Sequence, residues 1–311
     1  MSAAVARPVD PLPLPATVGA RPVERLLEVG LLLAAVFSIF VTAGIVYVLV
    51  YDSILFFRQP QVTVREFLTG REWTPLFEPQ QFGIMPLVSG TLVTTAVALV
   101  VAMPVGTIIA IWLSEFAPHR VRESVKPVLE LLSAVPTVVY GYFAISFVGP
   151  GLQSIFPGLP AFNMLIAGLV MGVMIVPYVS SLSEDAMRAV PMILREGSYA
   201  MGANRLTTAL RVVFPAAISG IAAAYTLAMS RAVGETMIVA IAAGGKPNLT
   251  IDPTEAAATI TAYIVQVSQG DLPHRSVGYE SIFAAGLTLF VMTLGFNLLG
   301  AFLRRRFRQV Y

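Results

Sequence analysis

Arg231 and Glu235 stand in the segment Ser230-Arg231-Ala232-Val233-Gly234-Glu235-Thr236-Met237, within an otherwise apolar run at about 212–243. A full charge in a membrane-length apolar segment costs about 2.5–3.5 kcal/mol on insertion scales, so such residues are expected to face a protein interior and serve function. Spaced four apart, the two share one face of a helix and partly neutralise each other, although Arg before Glu is the weaker order. Two readings stay open. One is a structural ion pair that joins helices. The other has Arg231 presenting its planar fork to a tetrahedral oxyanion, a shape suited to bidentate donors. Arg231, Glu235 and Thr236 are therefore candidates for a substrate path or gate.

A second constellation is Glu196-Gly197-Ser198-Tyr199-Ala200-Met201-Gly202, followed by Val212-Val213-Phe214-Pro215. It is a polar, Arg-bearing stretch between apolar runs. Ser183-Glu184-Asp185 is expected to cap a helix start, because short oxygen-bearing side chains and acids satisfy free N–H groups there. Pro191 and Gly197 interrupt the stretch and Gly202 offers a break before Asn204. The pattern predicts a short helix, a turn, and a second short helix entering the membrane near Val212.

Other chemistries find no support. The chain has no cysteine, which excludes disulfides and thiolate metal sites, and its two histidines, His119 and His274, are far apart. No metal or cofactor is expected. Gly244-Gly245-Lys246 is followed by Pro247 and lacks the earlier glycine of a phosphate loop; there is no His-Glu-x-x-His and no Gly-x-Ser-x-Gly. The chain is read as a non-catalytic subunit.

The elements that must position these residues are membrane helices. Of 311 residues 56% are hydrophobic and 12% charged, about half the charged share of ordinary soluble domains at about 25%. Runs long enough to span, about 20 residues each, lie near 29–51, 86–113, 127–148, 162–182, 212–243 and 281–303. The fifth exceeds one crossing and is expected to be tilted, broken or partly outside. Pro104, Pro136, Pro177 and Pro215 fall in or beside four spans and suggest kinked helices around a cavity that changes shape. Sixteen residues separate Pro215 from Arg231, about 24 Å at about 1.5 Å per residue, which predicts Arg231 in the outer half of the bilayer.

Basic residues set the orientation. Three (Arg7, Arg21 and Arg25) precede the first apolar run, three fall in 114–126, four in 183–211 and four at the C-terminus, fourteen in all, against five in the intervening loops. The positive-inside rule then places both termini in the cytoplasm. The expected organisation is a disordered Pro-rich cytoplasmic tail over 1–24, a first transmembrane helix with its external loop over 25–85, a core over 86–303, and a basic tail over 304–311. Within the core, 183–211 is a cytoplasmic loop. The outer loops at 52–85, 149–161 and 244–280 are either docking surfaces or solvated connectors.

The spacing of Glu196, Gly202, Val212 and Pro215 resembles the EAA loop of ABC-importer permeases, and the resemblance extends over about residues 86–303. Glu196, Gly202 and Pro215 match directly; Gly197 and Ser198 replace two alanines, Val212 an isoleucine and Phe214 a leucine. The segment Arg231-Ala-Val-Gly-Glu-Thr-Met is similar to a helix of the phosphate-specific (Pst) permeases, nearer their C-type subunit. This resemblance implies an all-α integral membrane protein with six transmembrane helices and the type I, MetI-like permease fold. It further implies a prokaryotic cell-membrane subunit in a heterodimer with a second permease. An ATPase dimer would grip a coupling helix containing Glu196, Gly197, Ser198, Gly202 and Pro215, and an extracytoplasmic phosphate-binding protein would deliver substrate. Membrane lipid surrounds such a protein, and no nucleic acid is involved. A permease for molybdate or sulfate, or an ion-coupled secondary transporter, remains the alternative.

Overall fold

A computed structural model describes residues 22–75, 77–273 and 276–306. The tail expected over 1–24 lies, up to residue 21, outside the described residues, as does the end of the basic tail beyond 306. The described part of the chain is helical and has no β-strand.

Helix α1 (Pro22–Phe57) is apolar on all sides. The unit that ends at Val48 exposes Leu31, Phe37, Phe40 and Ile45, as expected of a helix solvated by lipid. The second unit begins at Leu49. In it, α2 (Val64–Thr69) precedes α3 (Met85–Ile111), which starts with a Pro in its first turn and is prolonged by a π-helical turn, Trp112–Phe116. Next come α4 (His119–Ser133), α5 (Thr137–Phe143) with a π-helical turn at Ala144–Val148, and α6 (Gly149–Ile155). Helix α7 (Met164–Arg188) is followed by α8 (Met192–Ala200) and α9 (Arg205–Thr208). A π-helical turn (Ala209–Val213) then leads to α10 (Phe214–Ala216), α11 (Ile218–Val233) and α12 (Met237–Ala242). Helices α13 (Ile260–Gln266) and α14 (Val277–Arg306) complete the chain.

Five helical segments among the described residues are long and apolar enough to span a membrane, and a sixth span arises if the bent pair Arg205–Ala216 and Ile218–Val233 counts as one. Two expected boundaries move. The run at 127–148 divides at Pro136: the amphipathic α4 ends at Ser133 and the spanning segment is Thr137–Ile155. A proline cannot donate to the preceding turn, and the residue before it avoids the helical region. The run at 212–243 is not one helix either. It bends by 71° beside Ala217, just after Pro215, and stops at Val233. Pro104 and Pro177, by contrast, lie inside uninterrupted helices.

The centre of the bundle is the α3–α7 pair. A side chain at Gly172 would meet the Ala98 carbonyl oxygen at 2.9 Å and Val101 Cβ at the same distance, so only glycine lets the backbones approach this closely. Around this seam, Ile166, Val170, Met174 and Ile175 of α7 pack with Ala228 and Ala232 of α11 and Ile238 and Val239 of α12. A second core joins Phe56, Phe67, Trp73 and Phe82 to Tyr263 of α13 through edge-to-face rings. The third core lies at the other end of α7, where Ala110, Met187, Val190, Val213 and Ile221 meet.

Candidate functional site

Arg231 occupies the last turn of α11, and Gly234 caps that helix. Glu235 therefore does not continue the same helical face, and the two residues form no ion pair. This corrects the expected pairing, because an i,i+4 contact presumes an unbroken helix and Gly234 ends it. The carboxylate turns forward instead. Its Oε1 accepts from the backbone N–H of Met237 at 3.1 Å and of Ile238 at 3.3 Å, capping α12. The Glu235 carbonyl accepts from the Thr261 hydroxyl at 2.7 Å, which ties the break to α13. Thr236 closes the turn by donating its hydroxyl to the Gly234 carbonyl at 3.2 Å.

Freed of Glu235, the Arg231 guanidinium stands over the ring of Tyr178, 4.4 Å from its centroid. A cation held over an aromatic face is stabilised by about 0.5–2 kcal/mol. The Nε atom of Arg231 is nonetheless buried without a hydrogen-bond partner. Tyr178 belongs to α7, fourteen residues after Met164 and ten before Arg188, so at about 1.5 Å per residue it lies near the middle of that helix. Arg231 is thus level with the middle of α7. The straight count from Pro215 presumed one unbroken helix, whereas the chain turns a corner beside Ala217. Sequence reasoning missed Tyr178, an unremarkable aromatic in an apolar run whose partner lies on another helix.

The loop constellation forms a separate cluster at the far end of α11. Ser183, Glu184 and Asp185 do not begin a helix. They lie near the end of α7, which runs on to Arg188. Apolar packing of Met187 and Val190 in the third core carries the helix past them. Glu184 is 1% exposed and accepts from Lys126 Nζ of α4 at 2.7 Å; Lys126 also bonds Asp185. Burial lowers the Lys126 pKa, but hydrogen bonds to Asp185 and Glu184 and their charges outweigh it, leaving the ammonium above its ordinary value.

Arg195 of α8 is the best-satisfied cation in the molecule's described part. Its Nη2 donates to Glu115 at 2.9 Å and to the Met187 carbonyl at 2.9 Å, its Nη1 to the Val190 carbonyl at 2.6 Å, and its Nε to Glu115 at 3.4 Å. Glu115 sits in the π-helical turn after α3 and is 6% exposed. One side chain thereby fastens α8 to the end of α3 and to the Met187 and Val190 carbonyls around the end of α7. Neither partner was singled out by sequence; they are 80 residues apart.

On α8 itself, Glu196 and Gly197 are exposed, as are the apolar Met192, Ile193 and Met201 nearby. Ser198 turns inward to the Thr208 hydroxyl at 2.9 Å, so it binds α9 and is not presented outward. Gly202 has φ +83°, the left-handed region where only glycine is unstrained. It makes the turn that sends the chain from α8 into α9, whose first turn is capped by Asn204. Pro215 lies exposed in α10, at the corner before α11.

Residues 102–309 match the family described as binding-protein-dependent transport system inner membrane component. Among curated proteins, the probable ABC transporter permease protein YqgH of Bacillus subtilis is 35% identical over 78% of each chain. The phosphate transport system permease protein PstC of Mesorhizobium japonicum is 33% identical over 73% of this chain and 74% of that protein. PstC 1 of Mycobacterium bovis is 32% identical over 77% and 81%. Among solved structures, a bacterial ABC transporter for import of alginate superimposes with a TM-score of 0.66 at 18% identity, covering 92% of this chain and 97% of that one. The MetNI methionine transporter gives 0.54 at 17% identity over 73% and 94%. The fold is that of the MetI-like importer permeases, and the chain belongs to the inner membrane components of binding-protein-dependent transport systems.

Proposed function

We propose that this chain is a phosphate-translocating subunit of an ATP-driven importer, forming half of a path completed by a second, related permease. The observation that carries this reading is Arg231: a half-buried cation level with the middle of α7, over the ring of Tyr178, with no carboxylate partner among the described residues and a buried, unused Nε donor. An uncompensated cation in a membrane bundle is costly unless a counter-charge arrives, and a guanidinium fork matches a tetrahedral oxyanion. The similarity to PstC proteins at 32–33% identity supports phosphate over other oxyanions. Glu235 and Thr236 would hold the break that aims Arg231, and α12 would move with it.

In this reading both termini are cytoplasmic, an extracytoplasmic phosphate-binding protein delivers substrate, and a pair of ATPase subunits seats the exposed face of α8. Glu196, Gly197 and the apolar Met192, Ile193 and Met201 would form that seat, with Gly202 and Pro215 setting its angle. In a chain without cysteine, a cysteine placed at Ser276 should label from outside and one at Ser124 only after permeabilisation; the reverse would overturn the orientation. The decisive assay is uptake by the reconstituted importer. Phosphate should be taken up in preference to sulfate and molybdate, and Arg231→Lys, which keeps charge but loses the fork, should lower uptake by about tenfold, or about 1.4 kcal/mol. Preferential uptake of sulfate or molybdate, or full activity in Arg231→Lys, would refute the assignment.

A further inference from the structure

One cavity lies outside this path. It has a volume of about 360 Å³ and is lined by four arginines from four helices: Arg122 of α4, Arg188 of α7, Arg195 of α8 and Arg205 of α9. Its one lining carboxylate, Glu115, is already spent on Arg195. Beneath it, Glu184 is held by Lys126 at 2.7 Å, while Arg122 and Arg188 reach the other oxygen only at 4.0 and 3.8 Å. That oxygen receives no hydrogen bond. Arg205 has no carboxylate partner among the described residues and rests 5.6 Å from the centroid of Phe116.

Three guanidinium forks thus surround one space with their donors largely unspent. Like charges gathered around a cavity repel, and a counter-anion between them relieves that repulsion. A carboxylate offers two oxygens on one edge. A phosphate group offers three or four, spread tetrahedrally, with close to two negative charges, and suits forks that arrive from separate helices.

We propose that this cavity binds a phosphate group, from free phosphate or from a phospholipid headgroup, and that its occupant braces α8 against α4, α7 and α9. The site is remote from Arg231 and independent of the path. Its consequence for transport rests on the phosphate-import reading: phosphate accumulating on the α8 side would stiffen the segment that must move and so slow further import.

The test uses the full chain in nanodiscs of zwitterionic phosphatidylcholine, with radiolabelled inorganic phosphate as probe. Wild type should bind saturably. Arg205→Gln should weaken binding about tenfold, Arg122→Gln/Arg205→Gln further, and Arg205→Lys only partly. Arg205 is exposed and unpaired, so its loss leaves the fold intact. In a second arm the nanodiscs contain phosphatidylglycerol. If wild type retains that lipid on purification about tenfold better than the double variant and free phosphate does not bind, the headgroup is the occupant and the site stands. Equal phosphate and lipid retention by wild type and double variant would overturn it. So would binding that is lost in Arg231→Lys but kept in the double variant, or a double variant that loses only ATPase association. Uptake specificity is read separately. An importer that prefers sulfate would refute the path assignment while leaving a cavity effect intact; phosphate uptake without any cavity effect would do the opposite.

Discussion

Arg195 donates to a buried carboxylate and to two backbone carbonyls around the end of α7, whereas Arg231, on α11, has only the face of Tyr178 and a buried Nε without a partner. Both are arginines in largely apolar surroundings, and their surroundings assign them different work. A fully satisfied cation is part of the scaffold, because every group around it was placed to receive it. A cation left short of acceptors is poised for something that arrives later.

The largest expected effect breaks the scaffold side. Arg195→Met leaves Glu115, 6% exposed, without a counter-charge and with only the Ser114 hydroxyl as donor. Removing one partner of a buried pair costs about 3–5 kcal/mol, and the purified chain should melt correspondingly lower. Adding Glu115→Leu should recover most of that loss. If the double variant melts no higher than the single, the pair is not the element that fastens α8.

Arg231→Met should behave in the opposite way. It forfeits roughly 0.5–2 kcal/mol of cation–aromatic attraction but releases an unsatisfied buried donor, a penalty of about 1–3 kcal/mol. Stability should stay level or rise while phosphate uptake collapses. A large drop in melting temperature would place Arg231 with Arg195 as scaffold and dissolve the contrast. Gly202→Leu sharpens a different edge of the comparison. Forcing a branched residue to φ +83° costs about 1–2 kcal/mol locally, so the chain should still fold, yet re-angling α8 should disconnect ATP hydrolysis from transport. Normal coupling would remove α8 from the seat.

Smaller still is Glu235→Gln. The amide oxygen still accepts from Met237 and Ile238, so stability should change by less than about 1 kcal/mol and uptake should survive. A leaking variant would show that the charge itself matters. The smallest variation with conditions is the pH dependence of Lys126. Its pKa is raised in the folded chain above 10.5, so its contribution is complete at pH values below the unfolded value and is lost as pH rises through the folded one. The melting difference between wild type and Lys126→Gln should be flat from pH 6 to 9, by reference to the ordinary lysine value of about 10.4, and shrink only in stronger alkali.

Much of the bundle was legible in the sequence because lipid leaves few options. Apolar runs of sufficient length must be helices, and the positions of α3, α7 and α14 follow from that alone. The break at Gly202 was also legible, although Gly197, expected to interrupt the stretch, lies inside α8. What could not be read were the places where helices stop inside an apolar run. Gly234 looked like one more small residue, yet by ending α11 it redirected Glu235 and undid the pairing with Arg231. Ser183-Glu184-Asp185 had the composition of a helix start and was kept inside α7 by packing below it. The Arg195–Glu115 and Arg231–Tyr178 contacts join distant parts of the chain, and no local periodicity encodes them.

The corner at Ala217 has a mechanical consequence. With its arms bent by 71°, the stretch from Arg205 to Val233 is a bell crank: a push along the short arm reaches the long arm chiefly as a swing, not as a slide. Thirteen residues of α11 separate Ile218 from Arg231, about 20 Å at about 1.5 Å per residue, so a few degrees of rotation at the pivot would shift the arm at that level sideways by roughly 1–2 Å. Levers of this kind trade force for travel, and the stiffness of the pivot governs how faithfully the stroke arrives.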